Sequence, residues 1–288
     1  MKDRRSLVIV LGIGITILII EVIGGILTNS LALLADAGHV LTDVVGVSMA
    51  LIAIWIAAKP ASDERTFGWY RAEIFAAVLN ALLLFGVAAF ILIEAWRRLS
   101  EPQDVASGLM IVIAIVGGAA NLVALWVLMA PQKRSLNMRG AYLEVLGDLL
   151  GSVAVVVAGV IILATGLTVV DSIASVLIAV MILPRTWALL RAAVDVLMQA
   201  TPRGIRLDEV RQHILGAEGV AGVHDLHAWT VTSGMPVLSA HVVLEPDAEP
   251  AKVLDGLCRC LTGDFDVEHS TFQLESPDRS DLEEASHA

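Results

Sequence analysis

Only two of the 288 residues are cysteine, Cys258 and Cys260, and that scarcity excludes a disulfide framework. Positions i and i+2 of a helix point to different sides, so the pair chelates poorly. Charge is also sparse, at 17% of residues, and aromatics are 5%. A soluble domain carries about 25% charged residues. Basic residues are the scarcer sign, 19 Lys and Arg against 30 acids. A net charge of −11 argues against nucleic acid as a partner. No H-E-x-x-H and no nucleophile–base motif occurs, so the sequence reads as no enzyme and calls for no resident cofactor.

What remains is apolar. Hydrophobic residues make up 57% of the chain, and mean hydropathy is +0.77. The excess falls in runs over residues 6–28, 32–57, 72–98, 106–130, 138–164 and 169–192. Each is long enough to cross a bilayer, which takes roughly 20 residues. In lipid every backbone polar group needs an internal partner, so the runs are predicted helices. The short basic stretch Met1 to Arg5 leads into a full-length run without a cleavage site, which predicts a retained first helix.

The expected organisation is a six-helix transmembrane domain over 1–200, a cytoplasmic α+β domain over 201–276 and a disordered acidic tail over 277–288. Residues 1–200 hold 14 acids and 13 Lys and Arg, and residues 201–288 hold 16 and 6, so the acidity belongs to the second part. Lys2, Arg4 and Arg5, the Lys59–Arg71 loop and the Lys133–Arg139 loop favour a cytoplasmic N-terminus, cytoplasmic even loops and a cytoplasmic C-terminus. Arg97 and Arg98 in the third loop dissent. The expectation is a multi-pass protein of the cell (inner) membrane, with lipid as its surroundings.

Ionisable residues inside the runs carry the chemistry. Each costs roughly 2.5–3.5 kcal/mol at mid-membrane. The second run contains Asp36, His39 and Asp43, and the fifth contains Glu144 and Asp148. His39 and Asp43 are i and i+4, so they share a helix face, and Glu144 and Asp148 repeat the spacing. Asp36 lies on the same stripe, a relay candidate. With four acids and one base, mutual pairing leaves carboxylates uncompensated, which points to a bound cation. One nitrogen and three carboxylates suit tetrahedral zinc, with cobalt close in chemistry and cadmium and nickel left open. The motifs also look like copies, His39-x-x-x-Asp43-x-x-Gly46 and Glu144-x-x-x-Asp148-x-x-Gly151, as expected of an inverted repeat.

These residues resemble the cation diffusion facilitator family, of the bacterial zinc and cobalt–zinc–cadmium efflux type. The resemblance rests on SLALLADAGHVLTD (Ser30 to Asp43), RTFGWYRAE (Arg65 to Glu73), NMRGAYLEVLGDLLGS (Asn137 to Ser152) and HDLHAW (His224 to Trp229). It implies a homodimer that exchanges divalent cations for protons, with transport ligands at His39, Asp43, Glu144 and Asp148. Many zinc-specific members of the family have His where this chain has Glu144.

Residues 205–275 read as α-β-β-α-β, which resembles the family's small metallochaperone-like cytoplasmic fold. By that resemblance His224, His241 and Glu275 match metal-binding positions, and His269 is a further ligand candidate. Strand alternation puts His269, Gln273 and Glu275 on one face and predicts His224 and His227 on opposite faces. His213 receives no role. Zn2+ efflux, extending to Cd2+ and Co2+ with protons as counter-ion, is thus the expected function. A membrane metal sensor or receptor without translocation is the alternative.

Overall fold

The computed structural model describes residues 2–57, 59–130, 136–232 and 234–280. The chain forms two compact units, one built from Met1–Ile52 and Ala76–Leu190, the other from Ala53–Phe75 and Arg191–Ala288.

Six long helices account for the apolar runs: α1 (Lys2–Thr28), α2 (Leu31–Ala57), α3 (Ala72–Ser100), α4 (Ser107–Leu128), α5 (Leu136–Thr165) and α6 (Val169–Leu197). Among the described residues, five of them are long and apolar enough to cross a membrane: α1, α3, α4, α5 and α6. α2 equals α1 in length, and its apolar character is interrupted by Asp36, His39 and Asp43. Large apolar side chains such as Ile93 and Trp126 remain outward-facing, as lipid contact requires.

The breaks have local causes. Asn29 adopts φ 53°, a left-handed conformation that asparagine tolerates, and turns the chain between α1 and α2. Gly166 at φ 73° ends α5. The start of α2 is capped twice. The Ser30 hydroxyl accepts from the Leu33 amide at 3.2 Å. Asp171 of α6 accepts from the Leu31 amide at 2.6 Å, the Ala32 amide at 3.3 Å and the Ser30 hydroxyl at 2.6 Å.

Small residues let these helices approach. A Cβ on Gly24 would lie 2.5 Å from Ile113 of α4, one on Gly38 2.6 Å from Val87 of α3, and one on Gly159 2.6 Å from Ile111 of α4. Close contact through such residues, rather than hydrophobic exclusion, holds helices together in lipid. Leu31, Leu84, Ile91, Met110, Val155 and Ile178 form the largest buried cluster of this unit.

The second unit follows the expected α-β-β-α-β order, as α7 (Leu207–Leu215), β1 (Val220–Thr230), β2 (Pro236–Leu244), α8 (Pro250–Phe265) and β3 (His269–Glu275). The sheet order is β1-β2-β3. β1 and β2 are antiparallel. β2 and β3 are parallel, which is why a helical crossover, α8, must join them. Val210, Ile214, Leu238, Val242, Leu257 and Leu261 pack between the helices and one face of the sheet. A short helix α9 covers Pro277–Ser280. The rest of the expected tail lies outside the described residues.

β1 departs from simple alternation. From Val223 onward the inward residues are Val223, Leu226 and Ala228, a three-residue step followed by a two-residue step. The register slips between His224 and His227, and Asp225 sits at φ 47°. This is a β-bulge. His224 pairs with His241 and His227 with Ser239, and residues 239 and 241 share a face. The bulge therefore corrects the expectation that His224 and His227 face opposite ways.

Candidate metal centre

α2 and α5 bring three of the four membrane candidates together. His39 Nε2 lies 3.4 Å from Asp148 Oδ1 and 3.9 Å from Asp43 Oδ2. A cation with bonds of about 2.0–2.2 Å to N and O ligands separates them by about 3.3–3.6 Å in a tetrahedron. The first distance matches and the second needs a small adjustment. Asp43 Oδ2, Asp148 Oδ1 and His39 Nδ1 are buried without hydrogen-bond partners. Buried carboxylate oxygens left bare are costly, and a cation or proton satisfies them. The donor set fits a divalent metal.

Glu144 is placed differently. It lines the same cavity of about 230 Å³ with His39, Asp43, Asn80 and Arg185. Its carboxylate accepts from the Arg185 guanidinium of α6 and also meets the Asp43 carboxyl, so it stands at the edge of the three-ligand cluster. Sequence reasoning passed over Arg185. Its only signal was a positive charge inside the sixth run, directly after Pro184.

Asp36 lies away from the cluster, against Ser152 of α5. The Ser152 hydroxyl is 3.4 Å from Asp36 Oδ2 and 3.1 Å from the Asp148 carbonyl. Asp36 Oδ1 and both oxygens of Glu21 are buried without hydrogen-bond partners. Close approach depends on glycine here. A Cβ on Gly151 would fall 2.5 Å from Asp36 Oδ1, and one on Gly117 2.8 Å from Glu21 Oε1.

The second unit carries another group. Glu275, at the end of β3, is buried. His224 Nε2 lies 3.1 Å from Oε2 and His241 Nδ1 3.1 Å from Oε1, with the two rings edge to face at 5.0 Å. Burial opposes the Glu275 charge. The hydrogen bonds from Gln273 and His224, with the charges of His241 and His224, outweigh it and hold the carboxyl below its ordinary range. The bulge adds Asp225, whose oxygens lie 2.9 Å from His227 Nε2 and 3.7 Å from His241 Nε2. His269 is exposed at the start of β3, opposite Val237, and does not join His224, His241 and Glu275.

A third group, His213, Cys260 and Asp264, lies where α7 meets α8 and is largely exposed. Cys258 instead meets the Ser270 hydroxyl of β3, so the two thiols do point to different sides.

Comparison with known proteins divides the chain near residue 200. Residues 7–198 match the cation efflux transmembrane domain, and residues 202–277 match the cation efflux protein cytoplasmic domain. The metal cation efflux system protein CzcD of Cupriavidus metallidurans is 47% identical over 286 residues, covering 99% of this chain and 90% of that protein. The cadmium, cobalt and zinc/H(+)-K(+) antiporter of Bacillus subtilis is 39% identical over 264 residues, covering 90% and 85%. The zinc transporter ZitB of Escherichia coli is 37% identical over 276 residues, covering 95% and 88%. Among solved structures, the metal-bound C-terminal domain of the CzcD transporter is 42% identical and covers 25% of this chain and 99% of that one, with a TM-score of 0.24.

Proposed function

The chain belongs to the cation efflux family, a family of transporters and not of enzymes, and from that premise we propose that it exports Zn2+, with Cd2+ and Co2+ as further cargo, in exchange for protons. The observation that carries this reading is the meeting of His39, Asp43 and Asp148 between α2 and α5, with bare buried oxygens aimed at one another. The metals follow from the mixed nitrogen and carboxylate donors, and the names of the relatives agree with them.

The assigned transport ligands are His39, Asp43, Asp148 and Glu144. Cytoplasmic metal binds when His39 is neutral and the carboxylates are ionised. Protons from the far side compete for the same atoms, because a ligand must be deprotonated to hold metal. Asp36 and Glu21 extend the bare carboxylates away from the cluster, which suits a proton relay. On the cytoplasmic side His224, His241 and Glu275 form the assigned second site, and His269 is left out of it.

The rest of the reading is a homodimer in the inner membrane, both termini cytoplasmic, with the domain boundary near residue 200. The separate matches over 7–198 and 202–277 support the boundary. In inverted vesicles with an imposed pH gradient, Asp43→Ala and Asp148→Ala should each lower zinc uptake at least 100-fold. Wild-type uptake by both variants would refute the assignment.

A further inference from the structure

Glu144 and Arg185 together make a pattern that the transport assignment does not explain. The metal-ready ligands are a neutral imidazole and three carboxylates, a fixed charge of about −3, one unit more than a divalent cation neutralises. Arg185 lines the same cavity and holds Glu144. It brings the fixed charge of the ligand set to about −2, the charge that one divalent cation balances. Arginine keeps its charge throughout the accessible pH range, so this correction cannot be titrated away.

We propose that Arg185 is a tethered counter-charge, a specificity-determining residue that matches the cavity to a divalent cation through its pair with Glu144. This deepens the assignment of His39, Asp43, Glu144 and Asp148 as the transport ligands and rests on it.

Three further observations support the proposal. First, the pair is not a buried strut. The Arg185 side chain is 60% exposed and that of Glu144 29%, and both line the cavity with His39 and Asp43. Its effect is therefore felt by charges in the cavity. Second, Glu144 is one helical turn from Asp148 on the same face of α5 and its carboxyl already meets that of Asp43, so it stands between the guanidinium and the cluster. The approaching cation competes with Arg185 for that carboxylate. Third, Pro184 inside α6 carries no backbone N–H, which loosens that helix one residue before Arg185.

A Glu144–Arg185 pair is neutral as a unit. It can offer the metal a ligand without leaving the empty cavity over-charged. Removing one member must therefore act in the opposite sense to removing the other.

The test uses full-length protein, with zinc affinity measured by calorimetry in detergent and zinc flux measured in proteoliposomes. Arg185→Gln should bind zinc about 10-fold more tightly and turn over at least 10-fold more slowly, because release becomes limiting. Glu144→Gln should bind about 10-fold more weakly. The double variant E144Q/R185Q restores the net charge and should bind zinc more tightly than Glu144→Gln and more weakly than Arg185→Gln. Arg185→Lys keeps the charge and should stay near wild type in affinity.

Affinity changes of the same sign in both single variants, or a double variant that carries their summed losses, would overturn the proposal. Loss of zinc binding in both Arg185→Gln and E144Q/R185Q, with gel filtration unchanged, would overturn it as well. Asp43→Ala separates the two ideas. If it transports normally, the transport-site reading fails. If it is inactive while Arg185→Gln has wild-type affinity and turnover, the counter-charge alone fails.

Discussion

At the scale of single residues, the site is controlled by glycines as much as by its charges. The two copied motifs each end in one, Gly46 and Gly151. A Cβ on Gly46 would lie 2.8 Å from Asn80 Nδ2 of α3, and one on Gly151 would lie 2.5 Å from Asp36 Oδ1 of α2. Each glycine admits a polar side chain from a neighbouring helix. Gly151→Ala should therefore push Asp36 off Ser152 and cut zinc turnover about 10-fold in the vesicle assay. Gly147→Ala meets nothing within 4 Å and gains up to about 1 kcal/mol of helix propensity. It should transport normally, and equal losses in the two variants would contradict this account.

The ligand residues were legible because charge in an apolar run is rare and the i,i+4 spacing repeats. Arg185 was not legible in the same way, because one arginine near the end of a run reads as a side chain reaching for the interface. Asp225 was hidden by the bulge, which period-two alternation cannot foresee.

Among elements, α2 has the most demanding position. It supplies Asp36, His39 and Asp43, and its N-terminus is held by a carboxylate from another helix. Asp171 also lies 3.9 Å from Arg98 Nη1. Arg98 in turn donates to the Asn29 carbonyl at 2.7 Å and to Glu94 at 3.1 Å. Arg98 is thus engaged within the bundle. Its neighbour Arg97 is exposed.

Asp171→Ala would remove the cap, while the Arg98 guanidinium keeps Glu94 and the Asn29 carbonyl. Losing a helix cap costs about 0.5–2 kcal/mol. At about 2–4 °C per kcal/mol for a protein of this size, Tm in detergent should fall by about 1–8 °C. Asp171→Asn keeps an acceptor for Ser30 and should lose roughly half as much. An unchanged Tm for Asp171→Ala would show that the cap does not matter. Helix limits were legible because Thr28-Asn29-Ser30 and Thr165-Gly166 are strong breakers. The cap was not, because it joins positions 141 residues apart.

For the whole molecule, the division of labour is visible in composition alone: an apolar part with near-balanced charge and an acidic part with ordinary amphipathic elements. On our reading each chain carries two metal sites with different donors and surroundings. Titration of the full-length protein in detergent should then give two zinc equivalents per chain. Glu275→Gln replaces the carboxylate shared by His224 and His241, and should leave one. It should keep transport measurable while altering its dependence on cytoplasmic zinc. Two equivalents retained in Glu275→Gln would place the second site elsewhere.

The two cysteines have a practical consequence. Both lie on α8, one turned toward β3 and the other toward α7, and the six long helices contain no sulfhydryl at all. Once Cys258 and Cys260 are replaced, a single thiol introduced along α2 or α5 becomes the one nucleophile that a maleimide can find. Its labelling rate from either side of a vesicle would report directly which face of the bundle is open to water.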